Sequence, residues 1–244
     1  MMWKRDAMPV WRFGLMVVFF LIGSVGLYVG IGQWLTEPSL SWTLPLKGEV
    51  IVVDAGHGGV DPGAVAESGV LEKDVTLKVA LMLRDYLQQA GAHVVLLRDQ
   101  DKDLADENTK GYSRRKSEDL KQRVENVRAA NPSLLVSLHC NAVPSAKWSG
   151  AQTFYHGELP ESKALAANIQ EALRENLGMS RTITERNDIF ILKRSGVAGA
   201  LVELGFLSNL EEALLLTQEK HQQMLALSVY KGIVSYYADL KTYK

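Results

Sequence analysis

Cys140 is the sole cysteine of the chain. An intrachain disulfide is therefore excluded, and so is a cysteine-rich zinc finger. Any metal site must be built from His, Asp and Glu. An excess of charge of one sign is lacking too. Lys and Arg number 27, Asp and Glu 28, and the formal net charge is -1. Nothing marks a basic protein made for polyanions, and nucleic acid is not an expected partner. No internal repeat is found. The 244 residues suit one domain of ordinary size plus an appendage, with enough chain for a sizeable core.

The appendage lies at the N-terminus. Met1-Met2-Trp3-Lys4-Arg5, with Arg12 behind them, precede an uncharged apolar run from Phe13 to Leu35. A helix over this run reaches roughly 34 Å, enough to cross a bilayer core. Positive charge ahead of the run keeps residues 1–12 in the cytoplasm and sends the rest outward. A cleaved signal peptide would also export the chain, but its apolar stretch is shorter and ends in a small-x-small site. The length of the run, and the want of a clean Ala-x-Ala at its end, favour an uncleaved transmembrane anchor over 13–35. A buried core helix is disfavoured because the run has no polar face. Pro38, Ser39, Ser41 and Pro45 give residues 36–48 the composition of a linker. Residues 49–244 make the remaining domain.

That domain alternates in character. Short β-rich runs are Val50–Val53, His93–Leu97, Leu134–Leu138, Ala151–Tyr155, Ile189–Leu192 and Ala200–Glu203. Between several of them lie helical patterns. Val79, Leu83, Tyr86, Leu87 and Ala90 repeat at helical spacing, with Gly91 after them as a cap. Leu120, Val124 and Val127 do the same. Residues 162–177 are helix-rich and precede Gly178, and a last helix is expected over about 220–240. Leu134-Leu135-Val136 is apolar without alternation, as in strands covered on both faces. Alternating strand and helix predicts an α/β layered sheet. The polar stretch 99–117 reads as an exposed insertion.

In open α/β sheets, functional groups gather at the C-terminal ends of strands. Three such ends carry unusual residues here. The first strand runs into Asp54-Ala55-Gly56-His57-Gly58-Gly59, the third into His139-Cys140-Asn141, and the last into Glu203-Leu204-Gly205-Phe206. A further acid, Glu72, stands in a loop just before a helix. Two imidazoles and one carboxylate suit a catalytic zinc with an open position. A second carboxylate, off the metal, can take a proton from water and pass it to a leaving nitrogen. Placement alone does not say which glutamate has which part.

The stretch Val53-Asp54-Ala55-Gly56-His57-Gly58-Gly59-Val60-Asp61-Pro62-Gly63-Ala64 resembles the opening motif of the zinc N-acetylmuramoyl-L-alanine amidases, the type-3 amidases of bacterial cell walls. The resemblance continues at Glu72-Lys73-Asp74, at Ser137-Leu138-His139-Cys140-Asn141-Ala142 and at Leu201-Val202-Glu203-Leu204-Gly205-Phe206-Leu207-Ser208-Asn209. It covers nearly all of residues 49–240, with the motifs in the family's order. It implies a twisted, mostly parallel six-stranded sheet with helices on both faces. It implies one zinc per chain held by His57, Glu72 and His139, with Glu203 as the catalytic glutamate. The implied substrate is peptidoglycan, cut between the lactyl group of N-acetylmuramic acid and L-alanine. Cys140 departs from the small residue that many members have there. Cell-wall repeat modules and a long blocking helix are missing.

A single N-terminal apolar segment, a bare catalytic domain and the stretch Lys147-Trp148-Ser149-Gly150-Ala151-Gln152-Thr153-Phe154-Tyr155 resemble the sporulation branch of that family. The branch removes whole stem peptides on the way to the muramic δ-lactam of spore cortex. A sporulation accessory protein is an implied partner; the oligomeric state is not implied. Asp54 is expected to orient His57 or to cap a turn, and Asn141 to bind substrate or fill a turn. His93 reads as structural, His156 as surface-exposed or lining the groove, His221 as solvated, and Arg123 as a salt-bridge or surface residue. Trp148 suits sugar stacking or packing under a loop, and Arg114-Arg115-Lys116 a solvated turn or a contact to anionic wall polymers. Two rival functions stand beside the amidase: a zinc carboxypeptidase on wall peptides, and an inactive membrane-tethered scaffold.

Overall fold

A computed structural model describes residues 10–35 and 44–242. They form two compact units, divided between Thr43 and Leu44. The first holds one helix, α1 (Val10–Leu35), of 26 residues. Its described side chains, Phe19, Phe20 and Ile22 among them, are exposed. Among the described residues no helix is long and apolar enough to cross a membrane. The span expected over 13–35 therefore does not emerge from the structure. The segment before residue 10 and the linker up to residue 43 lie outside the described residues. The second unit begins at Leu44, earlier than the linker reading expects. Leu46 is fully buried, and its N–H donates to Ala90 O at 3.0 Å.

Six strands form one sheet: β1 (Val50–Ala55), β2 (His93–Leu96), β3 (Leu134–Asn141), β4 (Gln152–Tyr155), β5 (Thr184–Glu185) and β6 (Gly199–Phe206), in the order β2-β1-β3-β6-β4-β5. All neighbours are parallel except β4 and β6. The mixed, mostly parallel sheet matches the expectation from sequence. Its central strands are buried on both faces, which is why they read as continuous apolar runs. Alternate residues sort to opposite sides. Ile51, Val53, Val136 and Val202 pack with α2 (Glu72–Gln89), α4 (Pro160–Leu177) and α7 (Glu219–Thr242). Val52, Leu135 and Leu201 pack with α3 (Tyr112–Ala130) and α5 (Phe190–Ser195).

Local signals end the helices where expected. Gly91 follows α2 with φ 94°, and Gly178 caps α4 in the left-handed region at φ 68°. Three differences stand out. Ile189–Leu192 is not a strand: residues 190–195 form α5, since a short apolar run fits either period. The edge strand β5 is only Thr184–Glu185, too short to leave a pattern. The polar stretch 99–117 is not wholly an insertion either, because α3 starts at Tyr112. The short helix α6 (Leu210–Leu215) is capped by Asn209, whose side chain accepts from Glu212 N at 3.0 Å.

Candidate active site

The sheet brings its unusual strand ends together. His139 on β3 is the cross-strand neighbour of Glu203 on β6. His57 follows β1 on a loop, and Glu72 opens α2. One ligand atom each from His57, Glu72 and His139 lies within 4.8 Å of the others. His57 Nε2 is 3.1 Å and His139 Nδ1 2.9 Å from Glu72 Oε1. The two imidazoles meet edge to face, with centroids 5.0 Å apart. Zinc bonds of about 2.0–2.2 Å in a tetrahedron put ligand atoms about 3.3–3.6 Å apart. The donor set and its spacing thus fit a zinc ion with small adjustments.

The surrounding backbone fixes these side chains. Glu72 Oε1 accepts from Cys140 N at 2.9 Å, and Oε2 from Ala64 N at 2.8 Å. Two glycines make the room. A Cβ on Gly56 would stand 2.4 Å from the His139 ring, and one on Gly63 2.5 Å from Glu72 Oε2. His57 itself has φ 63°, a conformation that costs a non-glycine residue roughly 1–2 kcal/mol. Its Nδ1 is 2.8 Å from Asp61 Oδ2. That carboxylate sets the tautomer, so Nε2 faces Glu72. Asp61 is fixed in turn by Tyr112 Oη at 2.9 Å, Gly63 N at 3.1 Å and Lys116 Nζ at 3.1 Å.

The electrostatics divide the carboxylates. Burial would raise the Glu72 carboxyl, but hydrogen bonds from His139 and His57 outweigh it and hold it well below the usual range. Asp61 is held down in the same way against burial, chiefly by His57. Burial would lower His57, yet Asp61 and Glu72 raise it to about 9. Both its nitrogens face carboxylate oxygens, so a cation among the three ligand atoms competes with the proton on Nε2. Glu203 goes the other way. Burial pushes its carboxyl up to about 7, against the pull of His139. Its Oε2 is buried with no hydrogen-bond partner among the described residues. A raised carboxyl that faces two imidazoles suits proton transfer near neutral pH.

Asp54 faces Arg123 and Ser137, and the His57 ring faces Asp61. Asp54 is fully buried and accepts from Arg123 Nη1 at 2.5 Å and Ser137 Oγ at 2.7 Å. The acceptor for His57 is Asp61, four residues on in the same motif. Asn141 is half-buried beside the site, where its carbonyl accepts from Leu207 N at 2.8 Å. Arg123 is a buried ion pair with Asp54 and Asp119. His156 is buried, not solvated. His221 is half-buried, and its Nε2 is buried with no hydrogen-bond partner among the described residues. Trp148 is exposed and has Arg181 over its ring at 5.1 Å. A cavity of about 50 Å³ is bordered by His57, His139, Asp61 and Lys116. A cleft of about 610 Å³ along Arg114, Ser117 and Lys121 touches none of the four site residues.

Comparison with known proteins places this geometry. The profile of the family described as N-acetylmuramoyl-L-alanine amidase matches residues 51–235. The germination-specific N-acetylmuramoyl-L-alanine amidase of Bacillus subtilis (strain 168) is 50% identical over 199 residues, which cover 81% of this chain and 84% of that protein. The structure of the CwlD amidase from Clostridioides difficile, in complex with the GerS lipoprotein, superposes with a TM-score of 0.76 at 39% identity. The match covers 78% of this chain and 99% of that one. The N-acetylmuramoyl-L-alanine amidase from Clostridium difficile 630 follows with a TM-score of 0.68 at 27% identity, over 77% of this chain and 96% of that one. The chain belongs to the N-acetylmuramoyl-L-alanine amidase family.

Proposed function

We propose that the protein is a zinc amidase that cleaves the bond between N-acetylmuramic acid and L-alanine in peptidoglycan, and so removes stem peptides during spore cortex formation. The single observation that carries the chemistry is the meeting of His57, Glu72 and His139 within 4.8 Å beside Glu203, the cross-strand neighbour of His139. The cortex role rests on the 50% identity to the germination-specific relative.

His57, Glu72 and His139 hold the zinc. When bound, that ion supplies Lewis acidity for the scissile carbonyl and for the attacking water. Glu203 takes the proton of that water and returns it to the departing alanine nitrogen. Its unpartnered Oε2 and its raised pKa suit both halves of that task. Asp61 keeps Nδ1 of His57 occupied so that Nε2 serves the metal. Asn141, two residues past His139 at the end of β3, is a substrate contact in this reading. Asp54 acts behind it, through Arg123.

The same reading gives the chain its layout: residues 1–12 cytoplasmic, 13–35 a membrane anchor, then a linker shorter than 36–48, and a catalytic domain on the outer side that begins at Leu44. Support for the anchor is the 26-residue helix α1, with neither acid in its first turn nor base in its last, and its exposed apolar side chains. An accessory protein is proposed as a partner, since the CwlD structure was solved with the GerS lipoprotein.

The test is digestion of purified peptidoglycan by the full chain in detergent, with and without a chelator, read by mass spectrometry. Intact stem peptides with free L-alanine N-termini, lost with chelator and restored by zinc, support the amidase. Release of C-terminal amino acids alone makes it a carboxypeptidase. Zinc binding with no hydrolysis makes it a scaffold.

A further inference from the structure

Two arginines behind the site take no part in the chemistry described so far. Arg98 and Arg123 are 1% and 2% exposed. Between them they donate to three consecutive carbonyls at the end of β1. Ala55 O accepts from Arg98 Nε at 2.8 Å and Arg123 Nη1 at 2.9 Å. Gly56 O accepts from Arg98 Nη2 at 2.9 Å, and His57 O from Arg123 Nη2 at 2.6 Å. The same Nη2 of Arg98 also donates to Lys73 O at 2.8 Å, in the first turn of α2. Lys73 adjoins Glu72.

We propose that Arg98 and Arg123 are positioning residues for the metal centre: their guanidinium groups set the carbonyls of residues 55–57 and tie the loop of His57 to the helix turn of Glu72. Three physical points carry this. The carbonyls stand at the last residue of β1 and just beyond it, where the ladder runs out, so buried donors must come from elsewhere. His57 sits at φ 63°, a conformation that persists only where its surroundings over-determine it. A planar guanidinium presents its donors in a fixed fork, so one group can hold two carbonyls at a set separation. In Arg98 that separation spans His57's loop and Glu72's helix. Asp54 and Asp119 hold the fork of Arg123 in turn. Gly58 leaves the space that Arg98 fills, since a Cβ there would stand 2.9 Å from Arg98 Cδ.

This inference rests on His57, Glu72 and His139 being the zinc ligands. Its experiment measures zinc affinity, not turnover, in the full chain purified in detergent, by competition with a fluorescent chelator at a temperature where circular dichroism shows each variant folded. Arg98 is the residue to change, because its acceptors are carbonyls and the Thr76 hydroxyl and no buried carboxylate is orphaned. Arg98→Met is expected to weaken zinc 10- to 100-fold and to alter the visible spectrum of the cobalt-loaded protein. Arg84→Met, a control at a half-buried position of α2 paired, among the described residues, only with the exposed Asp85, should match the parent. Arg98→Lys keeps charge but loses the fork, so it should not restore the parent's affinity or spectrum. If Arg98→Met is unfolded, Arg98→Lys decides alone. Parent-like zinc affinity and cobalt spectrum in the folded variant overturn the proposal. Failure of the ligand assignment looks different: His139→Ala would then bind zinc as the parent does.

Discussion

Glu203→Gln should make the chelator-treated protein more stable while it removes turnover from the zinc-loaded one. Burial pushes the Glu203 carboxyl from its ordinary 4.5 up to about 7. A difference of about 2.5 in pKa is worth ~3 kcal/mol. The sign follows from linkage. Between these two values the folded chain binds more protons than the unfolded one, so raising the pH costs stability across that window. Glutamine has no such proton to lose. The two proteins should therefore have equal unfolding free energies near pH 4.5, and the variant should gain ~3 kcal/mol by pH 8. For a chain of this size that is roughly 6–12 °C in Tm. Paired urea titrations at pH 5, 6, 7 and 8 read the difference, and titrating groups remote from Glu203 cancel in it. Added zinc should narrow the gap, because a nearby dication favours the carboxylate. Turnover should fall roughly 100- to 10,000-fold. A stability difference that stays flat from pH 5 to 8 would refute the reasoning.

Asp61→Asn should weaken zinc roughly 10- to 100-fold, since the amide no longer fixes Nδ1 of His57 as a donor; chelator competition measures it. Gly63→Ala should cost on the order of 1–3 kcal/mol and lose zinc, because φ is 67° there and the new Cβ would meet Glu72; urea unfolding and bound metal report the two effects. Burial raises the Cys140 thiol well above its usual value, so a thiol reagent at pH 8 should label the native protein far more slowly than the urea-unfolded one.

How much of this could be read from the chain depends on the range of each contact. His57, His139 and Glu203 are polar groups at the ends of apolar strands, and the strands announce themselves by composition. Glu72 opens a helix, so its place in the site needs the tertiary fold or a resemblance. Asp61 stands four residues from His57, within the motif, yet spacing alone does not separate it from Asp54. The two differ because Asp54, still on β1, points at Arg123 and Ser137, while Asp61 folds back after the loop. Arg123 reaches Asp54 across 69 residues of sequence and Arg98 reaches Ala55 across 43. An arginine gives no local sign that it will be buried. The strand expected at Ile189–Leu192 fails for the same reason: the apolar run is legible, but its period is not.

The register of two strands is what turns a core into a catalytic site. Leu135 and Leu201 face α3 and α5, while Val136 and Val202 face the opposite helices. By the two-residue period, His139 and Glu203 fall on the side of Leu135 and Leu201. A slip of one residue would turn Glu203 into the other core. The apolar packing therefore fixes which carboxylate meets the imidazoles, before any metal is bound. The other side of β3 faces β1, and there the pairing stops at Leu138, whose carbonyl accepts from Gly56 N at 2.9 Å. The Cys140 N–H, two residues on and on that same side, lies past the paired stretch and donates to Glu72 Oε1 instead. The residue just beyond the ladder thus orients the proposed carboxylate ligand, and the paired ones before it place the proposed base.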